Sequence, residues 1–275
     1  MWRAQADSDA VAQTVKCGLQ VLECNAIPIV PSFRLRRPLL IVFWPLTALI
    51  LWFDGRVFNG EMARGQWLSN LVTPFFLASV MSQLRPRQAL VLALFVPLSA
   101  LGEGLFSLVF GLYRYRLETV PLYVPFGHSI LLGMAWIIAE ETWVARHERL
   151  VKIALALFHG GLILGALLLF RDVLSLLWGV MFWFVWTRHQ RRGVFLIVGV
   201  LVLYIEILGT AFDCWKWRPL AFGIIPTWNP PVGAFACYIL GELGAIRAAR
   251  IVAPILKPQW SRLGWQREIP ESVSK

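Results

Sequence analysis

GEGLFSLVFGLYRYRLETVPLYVPFGH, from Gly102 to His128, begins with a glutamate in an apolar run, continues with two tyrosines around an arginine and ends on a histidine. Glu103 lies inside the apolar run, the tyrosines flank Arg114, and His128 closes a Pro-x-Gly-His sequence. A carboxyl group at the centre of a bilayer costs roughly 2.5–3.5 kcal/mol, so it normally contacts a partner or a wet cavity. The stretch therefore predicts the end of a membrane span, a turn outside the membrane and the start of the next span.

The composition around this stretch indicates a membrane protein. Of the 275 residues, 58% are hydrophobic and only 15% are charged, whereas soluble domains carry about 25% charged residues. The apolar residues occur in continuous blocks and do not alternate with polar ones, which is typical of membrane-spanning helices. The predicted fold class is all-α: a polytopic transmembrane helical bundle.

The apolar blocks predict about eight spans. We place them at Pro38–Phe53, Trp67–Gln83, Gln88–Leu112, Ser129–Ala145, Leu150–Phe170, Val173–Thr187, Val194–Phe212 and Val232–Ile246. A full crossing needs about 20 residues. The first, sixth and eighth segments are shorter, so either their true ends lie further out or these segments are re-entrant.

The basic residues predict the orientation of the bundle. With eight spans, 19 of the 26 Lys and Arg residues fall on the side of the two termini, counting Lys152 with the fourth connection. Lys and Arg accumulate in cytoplasmic connections, so both termini are predicted to be cytoplasmic, in the inner membrane of a bacterium.

The net charge of +10 does not predict nucleic-acid binding, because the basic residues form short clusters between apolar blocks and not one basic face.

A second segment repeats the layout of the first. Glu206 is followed by Trp215-Lys216-Trp217 and then by Pro231-Val232-Gly233. The aromatic turn follows its glutamate by ten residues in the first segment and by nine in the second. With four spans per unit, the halves would form a parallel repeat. The alternative is that aromatic–basic–aromatic turns simply anchor helices at membrane interfaces.

This organisation predicts four parts along the chain. They are a cytoplasmic N-terminal segment (1–37), a first four-span unit (38–149), a second four-span unit (150–250) and a cytoplasmic C-terminal tail (251–275).

Three residues are candidates for acid/base chemistry. Glu103 and Glu206 lie near the outer ends of their spans, and His128 begins the next one. Carboxyl and imidazole groups exchange protons near neutral pH when their surroundings permit. The alternatives are hydrogen bonds that join helices for Glu103 and Glu206, and a helix-end anchor for His128. We expect His159 to be a hydrogen-bonded packing residue.

Other acids are expected in ion pairs. Glu140 and Glu141 are predicted to pair with Arg146, and Glu242 with Arg247.

The two outer connections supply the candidate binding residues. Basic side chains there attract anionic head groups, and aromatic faces attract a cation or a flat polyene. The alternative is an aromatic belt. The candidates are Tyr113, Arg114, Tyr115, Asp213, Trp215, Lys216, Trp217 and Asn229.

The sequence predicts neither a metal site nor a cofactor. The four cysteines form no C-x-x-C pair, and phosphate-loop, serine-hydrolase and zinc-protease motifs are missing from the sequence.

The order Glu103, Gly-x-Tyr-x-Tyr, Pro-Leu-Tyr-Val-Pro-x-Gly-His resembles two groups of proteins over Gly102 to Trp136. One is bacterial polytopic membrane proteins of unassigned function. The other is membrane carotenoid-biosynthesis proteins of the bisanhydrobacterioruberin-hydratase type. The second segment, with Trp-Lys-Trp, departs from this pattern.

Three functions follow as expectations, with membrane lipids and a lipidic or small-molecule substrate as partners. The first is a membrane-embedded enzyme that acts on an isoprenoid or another lipid, with the glutamates as acid and base. The second is a proton-coupled transporter of a small or lipidic solute. The third is a scaffold or assembly factor without catalysis.

Overall fold

A computed structural model describes residues 35–59, 64–189 and 192–262. Most of the predicted N-terminal segment and the last part of the predicted C-terminal tail lie outside these residues. The part that is described belongs to one compact unit. The division into two four-span units stays a prediction.

Ten α-helices form within the described ranges. They are α1 (Arg36–Asp54), α2 (Arg56–Asn59), α3 (Arg64–Met81), α4 (Pro86–Glu103), α5 (Tyr123–Ala139), α6 (Thr142–Arg146), α7 (Glu148–Phe170), α8 (Val173–Arg188), α9 (Gly193–Ala211) and α10 (Phe235–Arg262). Helix α4 continues directly into a π-helix, Gly104–Val109. Each predicted span overlaps one of the eight longer α-helices.

Four helical segments are long and apolar enough to cross a membrane: Arg36–Asp54, Pro86–Val109, Glu148–Phe170 and Gly193–Ala211. Helices α5 and α8 are apolar but shorter. Large apolar side chains also face outward on these helices; Leu169, for example, is 76% exposed. A surface of this kind suits lipid and not water, so the chain is an integral membrane protein. The count of eight crossings stays a prediction.

Helix α5 differs from its predicted bounds at both ends. It begins at Tyr123, six residues before the predicted start at Ser129, so Pro125 and Gly127 lie in its first turns. Proline is tolerated there because the first backbone N–H groups of a helix have no partner within the helix. In the second segment, by contrast, Pro231 and Gly233 precede α10, which begins at Phe235.

The expected ion pairs at the predicted cytoplasmic end are wrong. Glu140 binds Arg36 at 2.7 Å, not Arg146. Its other oxygen accepts a hydrogen bond from Gln88 at 3.3 Å. Oε2 of Glu242 is buried and accepts no hydrogen bond from the described residues, Arg247 included.

Short strands form in the two long connections, which the all-α prediction did not include. Strand β1 (Tyr113–Tyr115) pairs antiparallel with β2 (Trp215–Trp217). Strand β3 (Leu220–Ala221) pairs with β4 (Ile225–Pro226). The pair of β1 and β2 ties the two connections that follow α4 and α9 together.

Helix α5 lies at the centre of the bundle. It packs against α3, α4 and α9, while α4 also packs along α10. Met134, Ala135 and Ile137 of α5 are fully buried. This packing places His128, at the start of α5, beside the ends of α4 and α9 that carry the two glutamates.

Candidate functional site

Glu103 is the last residue of α4 and is held by three side chains. Oε2 accepts hydrogen bonds from the hydroxyls of Tyr113 at 2.6 Å and of Tyr115 at 2.5 Å. Oε1 lies 3.2 Å from Nε2 of His128. The residue is only 7% exposed. A buried carboxyl group needs such donors. Burying even a neutral polar group without a hydrogen bond costs roughly 2–7 kcal/mol.

Glu206, on α9, has a parallel arrangement with different donors. Its Oε2 accepts hydrogen bonds from the indole Nε1 of Trp215 at 3.0 Å and of Trp217 at 2.9 Å. Glu206 is 5% exposed. In the described residues, no hydrogen bond reaches its Oε1. Each glutamate is thus bound by the two aromatic residues of its own segment, and Oε1 of Glu206 accepts no hydrogen bond from the described residues.

The small sheet brings the two glutamates into one cluster. Tyr113 lies opposite Trp217, and Tyr115 opposite Trp215. Side chains alternate between the two faces of a strand, so all four aromatic rings point inward. The central pair, Arg114 and Lys216, points outward and is exposed.

Burial and the charge of Glu103 keep the two phenols protonated. Removal from water, followed by the nearby negative charge of Glu103, raises the pKa of Tyr113 and of Tyr115 well above its ordinary value. Both phenols therefore remain hydrogen-bond donors to Glu103 at any physiological pH.

His128 and Tyr238 complete the cluster. The rings of His128 and Tyr238 lie 4.3 Å apart between centroids. Tyr238 comes from α10, so helices α4, α5, α9 and α10 all contribute to the cluster.

The cluster forms part of the wall of a mostly apolar cavity of about 60 Å³. A water molecule needs about 10–15 Å³ of such space, so the cavity admits several waters or part of a larger molecule. Apolar side chains from α1, α3, α5 and α9 form the remaining wall, among them Phe43, Leu51, Phe76, Ile130 and Ile205. The three candidate acid/base residues and the four inward aromatics all line this cavity.

The other candidate residues do not line the cavity. Arg114 is exposed and pairs with Glu118 at 3.2 Å. Asp213 pairs with Arg56 at 3.2 Å, with both side chains partly exposed. The side chain of Asn229 accepts a hydrogen bond from the backbone N–H of Trp217 at 3.0 Å. Asn229 therefore fixes the second strand, one step away from the cavity.

A second buried group was not identified from the sequence. Asp54, at the end of α1, pairs with Arg116 at 3.2 Å, and both side chains are fully buried. Asp54 also accepts hydrogen bonds from Tyr123 at 2.9 Å and Gln66 at 3.0 Å. This group connects α1 to the outer connection and to the start of α5. In the sequence, Asp54 has the appearance of an ordinary polar residue at a span end.

His159 has the packing role that the sequence predicts. Its Nε2 lies 2.9 Å from the backbone oxygen of Leu196, and its ring lies against Gly199 with no room for a Cβ atom there.

Within the described ranges, no three His, Cys, Asp or Glu residues are grouped so as to hold a metal ion.

Comparison with known proteins gives no family for this chain. No family model, no curated protein and no solved structure matches the sequence or the fold.

Proposed function

We propose that this chain is a membrane-embedded enzyme that acts on an isoprenoid or another apolar lipid, with Glu103 and Glu206 as acid and base. The observation that carries the proposal is the convergence of two buried carboxyl groups and His128 on one mostly apolar cavity. The carboxyl groups come from positions 103 residues apart in the chain. Placing two acids in apolar surroundings is costly, so their convergence on one cavity supports a functional role.

The hydrogen bonds give the two carboxyl groups different roles. Glu206 lines the cavity and its Oε1 accepts no hydrogen bond from the described residues, so we assign Oε1 as the atom that meets the substrate. Glu103 is bonded at both oxygens and exchanges protons with His128. The rings of Trp215, Trp217 and Tyr113 present π faces that stabilise positive charge on a substrate carbon.

Isomerisation of a double bond balances without a co-reactant, whereas hydration of the double bond consumes one water molecule. One carboxyl group gives a proton to a carbon–carbon double bond, which leaves a carboxylate and a carbocation. The neighbouring carbon then loses a proton to a carboxylate, and the double bond has moved by one position. If water captures the cation and releases a proton to the carboxylate, the product is an alcohol.

The test is the lipid and pigment profile of cells that lack the gene, complemented with variants. Glu103→Gln and Glu206→Gln keep the shape of the side chain but remove its acid/base function, so we expect both to reproduce the profile of the deletion strain. Glu140→Gln, at a partly exposed acid outside the cluster, serves as the matched control and is expected to restore the normal profile. A normal profile with both cluster variants, against a clear change in the deletion strain, would contradict the proposal.

We also propose eight crossings, with cytoplasmic termini in a bacterial cell membrane and two related four-span halves. The distribution of Lys and Arg supports the orientation. The pairing of Tyr-Arg-Tyr with Trp-Lys-Trp about a central Arg114–Lys216 pair supports the relation between halves. Labelling of cysteine variants in intact cells with an impermeant reagent tests the orientation. We expect labelling at Arg114→Cys and Lys216→Cys and none at Arg85→Cys; labelling at all three would contradict the topology.

One observation favours proton-coupled transport as the second candidate. Glu103 belongs to the predicted first half and Glu206 to the second, and the two meet between the halves, where transporters bind coupling ions. Proteoliposomes that contain a pH-sensitive dye test it. Proton entry that depends on Glu103 and Glu206, in vesicles of bacterial lipid extract, would favour the transporter over the enzyme.

A further inference from the structure

Two cavities adjoin each other at the acid cluster. A second cavity, of about 80 Å³, lies beside the one already described. The two share six lining residues: Glu103, Tyr113, His128, Glu206, Trp217 and Tyr238. The two carboxyl groups, with Tyr113 and Trp217 among their donors, therefore border both cavities and form their common wall.

Beyond this common wall, the two cavities are bounded by different helices. The first is bounded by α1, α3, α5 and α9, through residues such as Phe43, Phe76 and Ile205. The second is bounded by α4, α8 and α10, through residues such as Leu98, Trp178 and Gly241. The cavities thus extend from the cluster toward different parts of the bundle.

The walls away from the cluster are largely apolar, and one hydroxyl group in each cavity is already hydrogen-bonded to the backbone. Thr73, in the first cavity, donates to the backbone oxygen of Ser69 at 2.7 Å. Ser99, in the second, is within hydrogen-bond distance of the backbone oxygens of Val96 and Pro125. Apolar groups placed in either cavity gain roughly 25 cal/mol for each Å² removed from contact with water. Polar recognition is concentrated at the common wall.

We propose that the ligand of this site is an elongated apolar molecule that lies across the cluster, with its reacting carbon in the interior of the chain. This inference rests on the proposed enzymatic function and specifies its substrate class. An apolar arm enters each cavity, and the double bond lies against Oε1 of Glu206. A substrate that reacts at the end of its chain needs only one of the two cavities.

Two glycines allow each cavity to be filled separately. Gly127 lines the first cavity and Gly102 the second. A Cβ atom at either position meets nothing within 4 Å. Because each glycine lines one cavity and a Cβ atom there meets no other atom, we expect Gly127→Leu and Gly102→Leu to fill one cavity each. Gly161 on α7 has equally free space and lines neither cavity, so Gly161→Leu is the matched control.

The first measurement is thermal unfolding of the purified full-length protein in detergent, with squalene as a linear apolar probe and geraniol as a short one. We expect squalene to raise the unfolding temperature of the unsubstituted protein and of Gly161→Leu. The rise should be lost in Gly127→Leu and also in Gly102→Leu. Geraniol, which fills one cavity, should keep its effect in at least one of these two variants.

Two results would overturn the inference. One is the absence of any squalene effect on the unsubstituted protein. The other is a full squalene effect in either cavity-filling variant. Gly127→Ala and Gly102→Ala, which fill little space, should behave like the unsubstituted protein, so a loss seen only with leucine depends on side-chain volume. A retained geraniol effect shows that a leucine variant is folded.

Complementation separates this inference from the proposed function. If Glu206→Gln abolishes the lipid product while Gly102→Leu or Gly127→Leu restores it fully, the enzyme proposal stands and the two-armed substrate is wrong. If all of these variants restore the normal profile while the squalene effects follow expectation, the cavities bind a two-armed ligand and the enzyme proposal is wrong.

Discussion

Tyr113 and Trp217 lie directly opposite each other in the two-stranded sheet, yet they donate hydrogen bonds to different carboxyl groups. Their rings are 4.4 Å apart between centroids. Tyr113 donates to Glu103 at 2.6 Å, and Trp217 donates to Glu206 at 2.9 Å. The sheet therefore fixes the positions of the two acids relative to each other, although it contains only three residues per strand.

The hydroxyls of Tyr113 and Tyr115 are expected to stabilise the fold measurably. Tyr113→Phe and Tyr115→Phe each remove one donor to the buried Oε2 of Glu103, which should lower the free energy of unfolding by about 1–3 kcal/mol. Because both hydroxyls bind the same oxygen, the loss in the double variant should differ from the sum of the two single losses. Equilibrium unfolding in mixed detergent micelles measures these values.

Tyr204→Phe is the control for this comparison. The hydroxyl of Tyr204 donates to the backbone oxygen of Trp44 at 2.6 Å in an exposed position. We expect a smaller loss there, because the acceptor is not a buried carboxyl group. Equal losses at Tyr204 and at Tyr113 would show that a hydrogen bond to Glu103 stabilises the fold no more than an exposed hydrogen bond to a backbone oxygen.

The raised pKa of the two phenols predicts a loss of stability at alkaline pH. In the folded protein, the pKa of Tyr113 and of Tyr115 lies above the ordinary value, which is about 10. The folded state therefore retains protons that the unfolded chain releases. This stabilisation is complete below about pH 10 and is lost as the pH rises through the folded-state pKa values.

A series of unfolding measurements between about pH 9 and pH 11 tests this sign. The unsubstituted protein should lose stability across the series. The double variant Tyr113→Phe/Tyr115→Phe should lose less, since it lacks both phenols. A rise in stability with pH, or the same decline in both proteins, would show that these phenols are not perturbed.

The buried pair of Asp54 and Arg116 is expected to be among the most sensitive positions outside the cluster. Asp54→Asn removes the carboxylate that faces the fully buried side chain of Arg116. Breaking a buried ion pair from one side costs about 3–5 kcal/mol, because one charge loses its counter-charge in the interior. Chemical unfolding and the yield of monodisperse protein report the loss.

The exposed pair of Arg114 and Glu118 provides the comparison. Its side chains are 65% and 72% exposed, so Glu118→Gln should cost less than about 1 kcal/mol. The paired substitution Asp54→Leu with Arg116→Met should recover much of what Asp54→Asn loses. Failure of that recovery would mean that the hydrogen bonds from Tyr123 and Gln66, and not the ion pair, dominate this region.

Much of the helical pattern could be predicted from the sequence, because each long apolar block corresponds to one long helix. The offsets between glutamate and aromatic residues also carry structural information. Tyr113 and Tyr115 follow Glu103 by ten and twelve residues, and both bind it. Trp215 and Trp217 follow Glu206 by nine and eleven residues, and both bind that acid.

The contacts between distant segments could not be predicted. Nothing in the order of residues indicates that β1 pairs with β2 a hundred positions later. Asp54 and Arg116 are 62 residues apart, and a single sequence does not show that their side chains meet. The aromatic turns have the composition of an interfacial belt, so only their inward direction distinguishes a hydrogen-bonding role.

The close approach of α9 to the sheet provides the final prediction. A Cβ atom at Gly209 would overlap the six-membered ring of Trp215, whose Nε1 donates to Glu206 at 3.0 Å. Gly209→Ala should therefore displace this indole and weaken its hydrogen bond. Overpacking of this kind costs about 1–3 kcal/mol, which equilibrium unfolding measures.

Gly161→Ala is the matched control, because a Cβ atom there meets nothing within 4 Å and alanine favours helix by roughly 1 kcal/mol over glycine.

The proposed enzymatic function also predicts the activity of Gly209→Ala. Its lipid product should fall toward the level of Glu206→Gln, because the indole that fixes the acid has moved. Trp215→Phe, which removes the donor without crowding the helix, should lower the product in the same way. If Gly209→Ala destabilises the protein while Trp215→Phe leaves the product unchanged, the indole packs against α9 but does not position Glu206 for chemistry.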